Sequence, residues 1–177
     1  MAKQAKTNAM RELESAKIPY EPKYYIPDEE DDHTSHAGNT IAAQIGLPEK
    51  QVFKTLVARG DKTGPVVFCL PVCGALDLKR AAAVSGNKRV ELIMVKELLP
   101  LTGYVRGGCS PIGMKKKFPT YIEASCMQYD KMTISAGMRG CQLMLEPRAL
   151  VAFTGATLAE NILAADGAEH GGEGEMK

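Results

Sequence analysis

Two β-branched and aromatic runs, QVFKTLVAR at 51–59 and VVFCLPV at 66–72, flank the turn signal GDKTGP. Runs of this kind suit a pleated strand, and Gly, Asp and Pro between them predict a hairpin. The remaining segments have to pack around that pair. TNAMRELESA carries Met10, Leu13 and Ala16 at helical spacing and predicts a first helix. PYEPKYYIP is a short extended segment between prolines. The acidic stretch 28–39, DEEDDHTSHAGN, lacks periodicity and reads as a loop. Asn39 can cap a second helix, TIAAQIGL, which Gly46 stops. Asp77 caps a third, LKRAAAVSG, ending at Gly86, and PRALVAF is a late helix with proline at its first position. RVELI, the stretch around GYVR, TYIEA, MTISAG and CQLMLE supply further strands. Hairpins alternating with helical crossovers imply a mixed sheet in one α+β domain over residues 1–165. The Gly- and Glu-rich tail, 166–177, is expected to be disordered.

At 177 residues the chain is long enough to bury roughly two-thirds of its unfolded surface in one core. A net charge of +1 excludes a globally basic nucleic-acid binder and leaves room for a local basic patch. The stretch 1–17 lacks the apolar core of a signal peptide, and no run reaches the length of a membrane span. Five cysteines, odd in number and mostly far apart, form no disulfide framework. They read as reduced thiols, and the expected compartment is the cytoplasm.

The densest chemistry lies at 106–123, RGGCSPIGMKKKFPTYIE. Its glycines at 107, 108 and 113 match neither G-x-G-x-x-G nor a P-loop, since no Gly-Lys-Ser/Thr follows. Adjacent Gly107 and Gly108 allow backbone N–H groups to converge on an oxygen, as in an oxyanion hole, because no Cβ intervenes. A strained turn accounts for the same residues. Cys109 as a nucleophile needs a basic partner, and the histidines stand elsewhere: His33 and His36 in the acidic loop, His170 in the tail. The thiol is therefore read as inactive. Lys54 shares a strand face with Val52, Leu56 and Ala58, where desolvation would lower its pKa and make it a strong local charge for a carbonyl or phosphate. An edge-strand lysine that discourages aggregation is the plainer account. CLPVC has no second Cys or His pair at zinc spacing and DDHTSH reads as a solvated loop, so neither metal nor cofactor is expected. Lys115, Lys116 and Lys117 are either a solvated face or, beside a site, a contact for a polyanion.

Taken in order, QVFKTLV (51–57), ALDLKRAA (75–82), GYVRGGCSPIGMKKKFPTYIE (103–123) and ISAGMRG (134–140) closely resemble the bacterial YbaK/EbsC family. These are free-standing relatives of the editing domain of prolyl-tRNA synthetase. The resemblance runs from about Lys17 to Phe153. It implies a compact α+β domain whose mixed, barrel-like sheet is flanked by helices. It also implies hydrolysis of mischarged aminoacyl-tRNA and, in the YbaK branch, removal of cysteine from tRNA(Pro). Lys54 matches the family's essential lysine, and Gly107 the glycine of the carbonyl-binding loop, with Gly108 beside it. Ser135 matches a pocket serine, and Tyr25 falls near a pocket tyrosine. Two departures bear on the aminoacyl pocket: Ala37 stands where that branch has an aromatic residue, and Gln142 where it has an aspartate.

On this resemblance the 106–113 loop presents backbone amides to the aminoacyl ester, Cys109 is filler, and the lysine run meets the tRNA acceptor end. For a cysteinyl ester it implies attack by the substrate's own thiol, releasing a cyclic thiolactone, with Lys54 holding the adenosine or phosphate end. The implied partners are aminoacyl-tRNA and prolyl-tRNA synthetase, with no membrane. A deacylase for another small residue, such as that of Ala-tRNA(Pro), and a non-catalytic module that docks a synthetase or tRNA are the alternatives.

Overall fold

The computed structural model describes residues 5–27 and 37–165. In chain order these form α1 (Asn8–Ser15), β1 (Glu21–Tyr24), α2 (Ala37–Ile45), β2 (Phe53–Gly60), β3 (Gly64–Pro71), α3 (Leu78–Ser85) and β4 (Val90–Leu92). They continue with α4 (Val95–Thr102), β5 (Thr120–Glu123), β6 (Met132–Ser135), β7 (Cys141–Leu145), α5 (Pro147–Thr154) and β8 (Thr157–Ala159). Most of the acidic loop, all three histidines and the tail 166–177 lie outside the described residues, and so does the disorder expected of that tail. No helix among the described residues is long and apolar enough to cross a membrane.

Local chemistry sets most boundaries. Thr7 caps α1, its hydroxyl accepting from the Met10 N–H at 3.2 Å. Asp77 caps α3 through the Arg80 N–H at 3.0 Å, as its sequence predicts. The second helix starts earlier than expected, at Ala37, so Asn39 lies inside it rather than capping it. The stretch around GYVR is not a strand. It follows α4, which ends at Gly103 with φ 86°. Pro100 hides this helix from a sequence reading, because proline removes one helical N–H. The carbonyl it orphans belongs to Lys96, and both residues are exposed, so the proline falls on the solvent side of the helix. Glu97 supports the start of α4 by accepting from the Met94 N–H at 2.9 Å.

The hairpin forms as predicted, β2 antiparallel to β3 with Lys54 opposite Leu70 and Gly60 opposite Gly64. The mixed α+β architecture also matches expectation, since β3 runs parallel to β5 and β5 parallel to β8. The single barrel-like sheet does not form. The strands divide into two sheets, β4-β2-β3-β5-β8 and β1-β7-β6, which are not closed into a barrel. The reason lies on one edge of β2. There β4 occupies Ala58 to Gly60, leaving only the start of the strand for β6, through a single parallel bridge from Val52 to Thr133.

Alternation along these strands decides which side faces what. Phe53 and Val57 enter the main core with Ile134, Cys141, Leu143 and Leu145. Leu56 and Ala58 turn the other way, into a second core under α3 with Phe68 and Leu70. Ile41, Ala42 and Ile45 of α2 cover Val52 and Val72. Thr133, Ser135 and Gln142, which alternate with main-core residues, therefore face the same side as Lys54.

Candidate active site

Lys54 is half-buried and held by its neighbours, since Phe53 and Val57 anchor the opposite face of β2 in the main core. The Val52–Thr133 bridge sets β6 beside the start of β2, running in the same direction. Ser135 thus arrives on the Lys54 side, where it pairs with Gln142 across β6 and β7. The Ser135 hydroxyl accepts from the Gly137 N–H at 3.2 Å, which fixes the turn that leaves the strand. Gln142, 5% exposed, accepts from Thr133 Oγ1 at 3.1 Å and also hydrogen-bonds the Tyr25 side chain. An amide can do both, with its oxygen accepting and its nitrogen donating. A buried aspartate in its place would need a counter-charge. Burial pushes the Tyr25 hydroxyl above the ordinary tyrosine value, so it remains a neutral O–H at physiological pH.

The main chain of Tyr25 is equally constrained. Its N–H donates to the Gly140 carbonyl at 3.0 Å. The next residue is tied to α2, where Gln44 Oε1 accepts from the Ile26 N–H at 2.9 Å and Nε2 donates to the Ile26 carbonyl at 3.1 Å. Lys54, Ser135, Gln142 and Tyr25 are thereby brought to one side of the molecule. Ala37 opens α2 on that side, and its side chain falls outside the described residues.

The glycine loop departs from the pair of converging amides. The Gly108 N–H donates to the Val105 carbonyl at 3.0 Å, closing a turn whose third residue, Gly107, has φ 83°. That positive φ is the signature of a type II turn and favours glycine. The amide of Gly108 is thus used inside the loop, and the exposed Gly107 is left to present its own N–H. Gly108 has a steric role instead. A Cβ there would stand 3.0 Å from the Met138 carbonyl carbon and 3.1 Å from the Arg139 nitrogen, main-chain atoms with little room to move. Loop 106–113 therefore stacks directly on loop 136–140. The Arg139 side chain runs along Gly107, its Cγ and Nε 3.4 Å from where a Cβ would be. Nothing in the sequence singled out Arg139. Its only signal was a place in the ISAGMRG block, beside Ser135.

Cys109 is 7% exposed, and burial pushes its thiol up to about 12. It stays protonated near neutral pH, and no histidine lies among the described residues to activate it. Cys109→Ala and Cys109→Ser are expected to keep activity within about tenfold, roughly 1.4 kcal/mol of barrier. A variant silenced by either change, or an acyl-enzyme on Cys109 seen by mass spectrometry, would contradict this. Among the described residues no group of three or more His, Cys, Asp or Glu side chains is placed to hold a metal ion.

The lysine run adjoins the far end of the glycine loop, at Pro111, Ile112 and Gly113, but not the groups around Lys54. Lys116 and Lys117 line a groove of about 250 Å³ with Glu12, Phe118, Phe153 and Thr154, and none of the residues around Lys54 reaches it. Lys117 Nζ sits 3.7 Å from where a Cβ on Gly155 would be, at the carbonyl end of α5, which favours a cation. Lys115 lays its stem across Gly103.

Residues 33–153 match the family model described as the aminoacyl-tRNA editing domain. That span takes in Lys54, the Gly107 loop, Ser135 and Gln142. The chain belongs to the aminoacyl-tRNA editing family. An Enterococcus faecalis protein with the provisional name Cys-tRNA(Pro)/Cys-tRNA(Cys) deacylase EbsC is 48% identical to this editing domain over 157 residues, 89% of this chain and 93% of its own. A solved structure described as a provisional trans-editing enzyme for prolyl-tRNA synthetase superposes with a TM-score of 0.72 at 24% identity, over 92% of this chain and 99% of that one. A structure of a hypothetical protein gives a TM-score of 0.75 at 21% identity, over 89% of this chain and 100% of its own. These two share the editing-domain fold.

Proposed function

We propose that this editing domain removes the aminoacyl group from mischarged tRNA, with Cys-tRNA(Pro) as its substrate and residues 1–165 as the deacylase unit. The observation that carries the reading is one face that gathers a lysine and neutral polar groups beside an exposed glycine loop, with no activated nucleophile among the described residues. Lys54, Ser135, Gln142 and Tyr25 face one side, the Gly107 loop stacks beside the turn after Ser135, and Cys109 is buried and protonated. An ester of a 3′ nucleotide needs positioning and polarisation more than a protein nucleophile. The provisional name of the Enterococcus faecalis relative supports the choice of cysteine.

In this reading the Gly107 N–H polarises the ester carbonyl. Lys54 holds the 3′-terminal adenosine or its phosphate, and Ser135, Gln142 and Tyr25 line the space for a small side chain, with Ala37 at its α2 border. The substrate's thiol attacks its own carbonyl: a C–S bond forms, the bond to the ribose oxygen breaks, and that oxygen takes the proton the thiol gives up. A cyclic thiolactone leaves. Prolyl-tRNA synthetase is the proposed partner for capture of tRNA, in the cytoplasm.

Purified protein incubated with Cys-, Ala- and Ser-tRNA(Pro) tests this by loss of labelled amino acid. Cysteine is expected to be lost fastest. Equal or faster loss of alanine would assign a different small substrate, and no loss from any, with or without prolyl-tRNA synthetase, would leave a binding module.

Alanine at Lys115, Lys116 and Lys117 together is expected to raise KM for tRNA and flatten its salt dependence, with kcat nearly unchanged. Contacts to phosphate release counterions and carry no information about the aminoacyl group. An unchanged salt slope would return these lysines to a solvated face.

A further inference from the structure

We propose that Tyr104 is a positioning residue for the reaction, holding loops 106–113 and 136–140 together so that the Gly107 amide stays aimed at the ester carbonyl. This rests on the proposed function above. Tyr104 is 6% exposed, so it acts through the loops and not on the substrate. Its hydroxyl donates to the Ile112 carbonyl at 2.5 Å, tying the start of the glycine loop to its far end. Its ring fills the gap between the loops: a Cβ on Gly113 would stand 2.5 Å from the hydroxyl oxygen, and one on Gly137 2.8 Å from Cε1.

The ring itself has a fixed base. The Tyr104 N–H donates to Thr102 Oγ1 at 3.0 Å, and that hydroxyl donates to the Leu98 carbonyl at 2.8 Å inside α4. Loop 136–140 is also tied to the start of α1, where the Thr7 hydroxyl donates to the Ala136 carbonyl at 2.5 Å. Gly107 is therefore bracketed by two contacts to the same neighbouring loop. The Tyr104 ring meets Gly137 on one side, and Gly108 meets the Met138–Arg139 main chain on the other. A slip of about 1 Å at a reacting centre costs on the order of a hundredfold in rate. Loss of the ring would permit a slip of that kind without touching any group that contacts the ester.

The test combines Tyr104→Phe, which keeps the ring and drops the tether to Ile112, and Tyr104→Met, which drops both, each alone and with Gly107→Ala. Melting curves accompany steady-state deacylation of Cys-tRNA(Pro). Per folded molecule, Tyr104→Met is expected to lose about tenfold or more in kcat and Tyr104→Phe about threefold, with KM for tRNA nearly unchanged. Because Tyr104 acts through Gly107, each double variant should be scarcely slower than Gly107→Ala alone. A residue that only stabilises the fold would leave kcat per folded molecule unchanged or give losses that multiply, and either result overturns the proposal. If Tyr104→Met does not fold, the Tyr104→Phe cycle decides by the same criterion. Wild-type protein inactive on every aminoacyl-tRNA would remove the functional reading and this proposal together. An active wild type with an unaltered Tyr104→Met kcat would remove only the role of Tyr104.

Discussion

Lys54→Ala is expected to lose about a hundredfold or more in kcat/KM on Cys-tRNA(Pro), the scale of rate lost when a bound substrate is misplaced by about 1 Å at its reacting centre. The fold should survive. Phe53 and Val57 anchor the other face of β2 in the main core, and ladders on both sides of the strand hold the main chain. Lys54→Met separates charge from packing, because it keeps most of the apolar stem and loses the ammonium. Both variants should be equally inactive, with melting temperatures close to that of the wild type. Single-turnover deacylation and thermal melts on the same preparations decide the matter. Near-full activity in Lys54→Met would reduce Lys54 to a packing residue, and activity lost only in proportion to lost stability would do the same.

Much of the fold was legible because it is local. The turn between 59 and 66 forces the hairpin, Asp77 caps α3, and proline at the first position starts α5. Features that depend on distant partners were not legible. Pro100 concealed α4, since nothing in the sequence shows that the proline would fall on an exposed face of the helix. Tyr104 and Val105 read as strand because aromatic and β-branched residues fit a pleat, yet a helix cap and a buried ring decide that segment. The division into two sheets depends on competition between β4 and β6 for one edge of β2, which no single segment encodes.

The candidate site shows the same division. Period-two alternation put Lys54 on the correct face of its strand, but the position of Ser135 and Gln142 beside it follows from a bridge between strands about eighty residues apart in sequence. Two adjacent glycines suggested two free amides. The structure uses the Gly108 amide to close its own turn and the missing Cβ of the same residue to admit a neighbouring main chain, while Gly107 supplies the positive φ of that turn. Glycine spacing cannot separate these uses, because each requires only that no side chain be present. Arg139 escaped for a related reason: an arginine in a loop carries no sign of what its stem will cover.

Rates on Cys-tRNA(Pro) and on its S-methylated counterpart test substrate-assisted cleavage most directly. Size alone discriminates weakly, since one methylene-sized difference is worth about 1–3 kcal/mol, and a pocket that admits cysteine admits serine and alanine. Chemistry discriminates strongly. A thiol ionises far more readily near neutral pH than a hydroxyl, alanine has neither group, and a thioether keeps the sulfur but cannot become a thiolate. Cys109, at about 12, cannot substitute for the missing nucleophile. The S-methylated ester should therefore be cleaved at least about a hundredfold more slowly than the native one, since an intramolecular nucleophile at close range contributes at least that much. Comparable rates for the two esters would contradict substrate-assisted attack and assign the reaction to a water positioned beside Lys54.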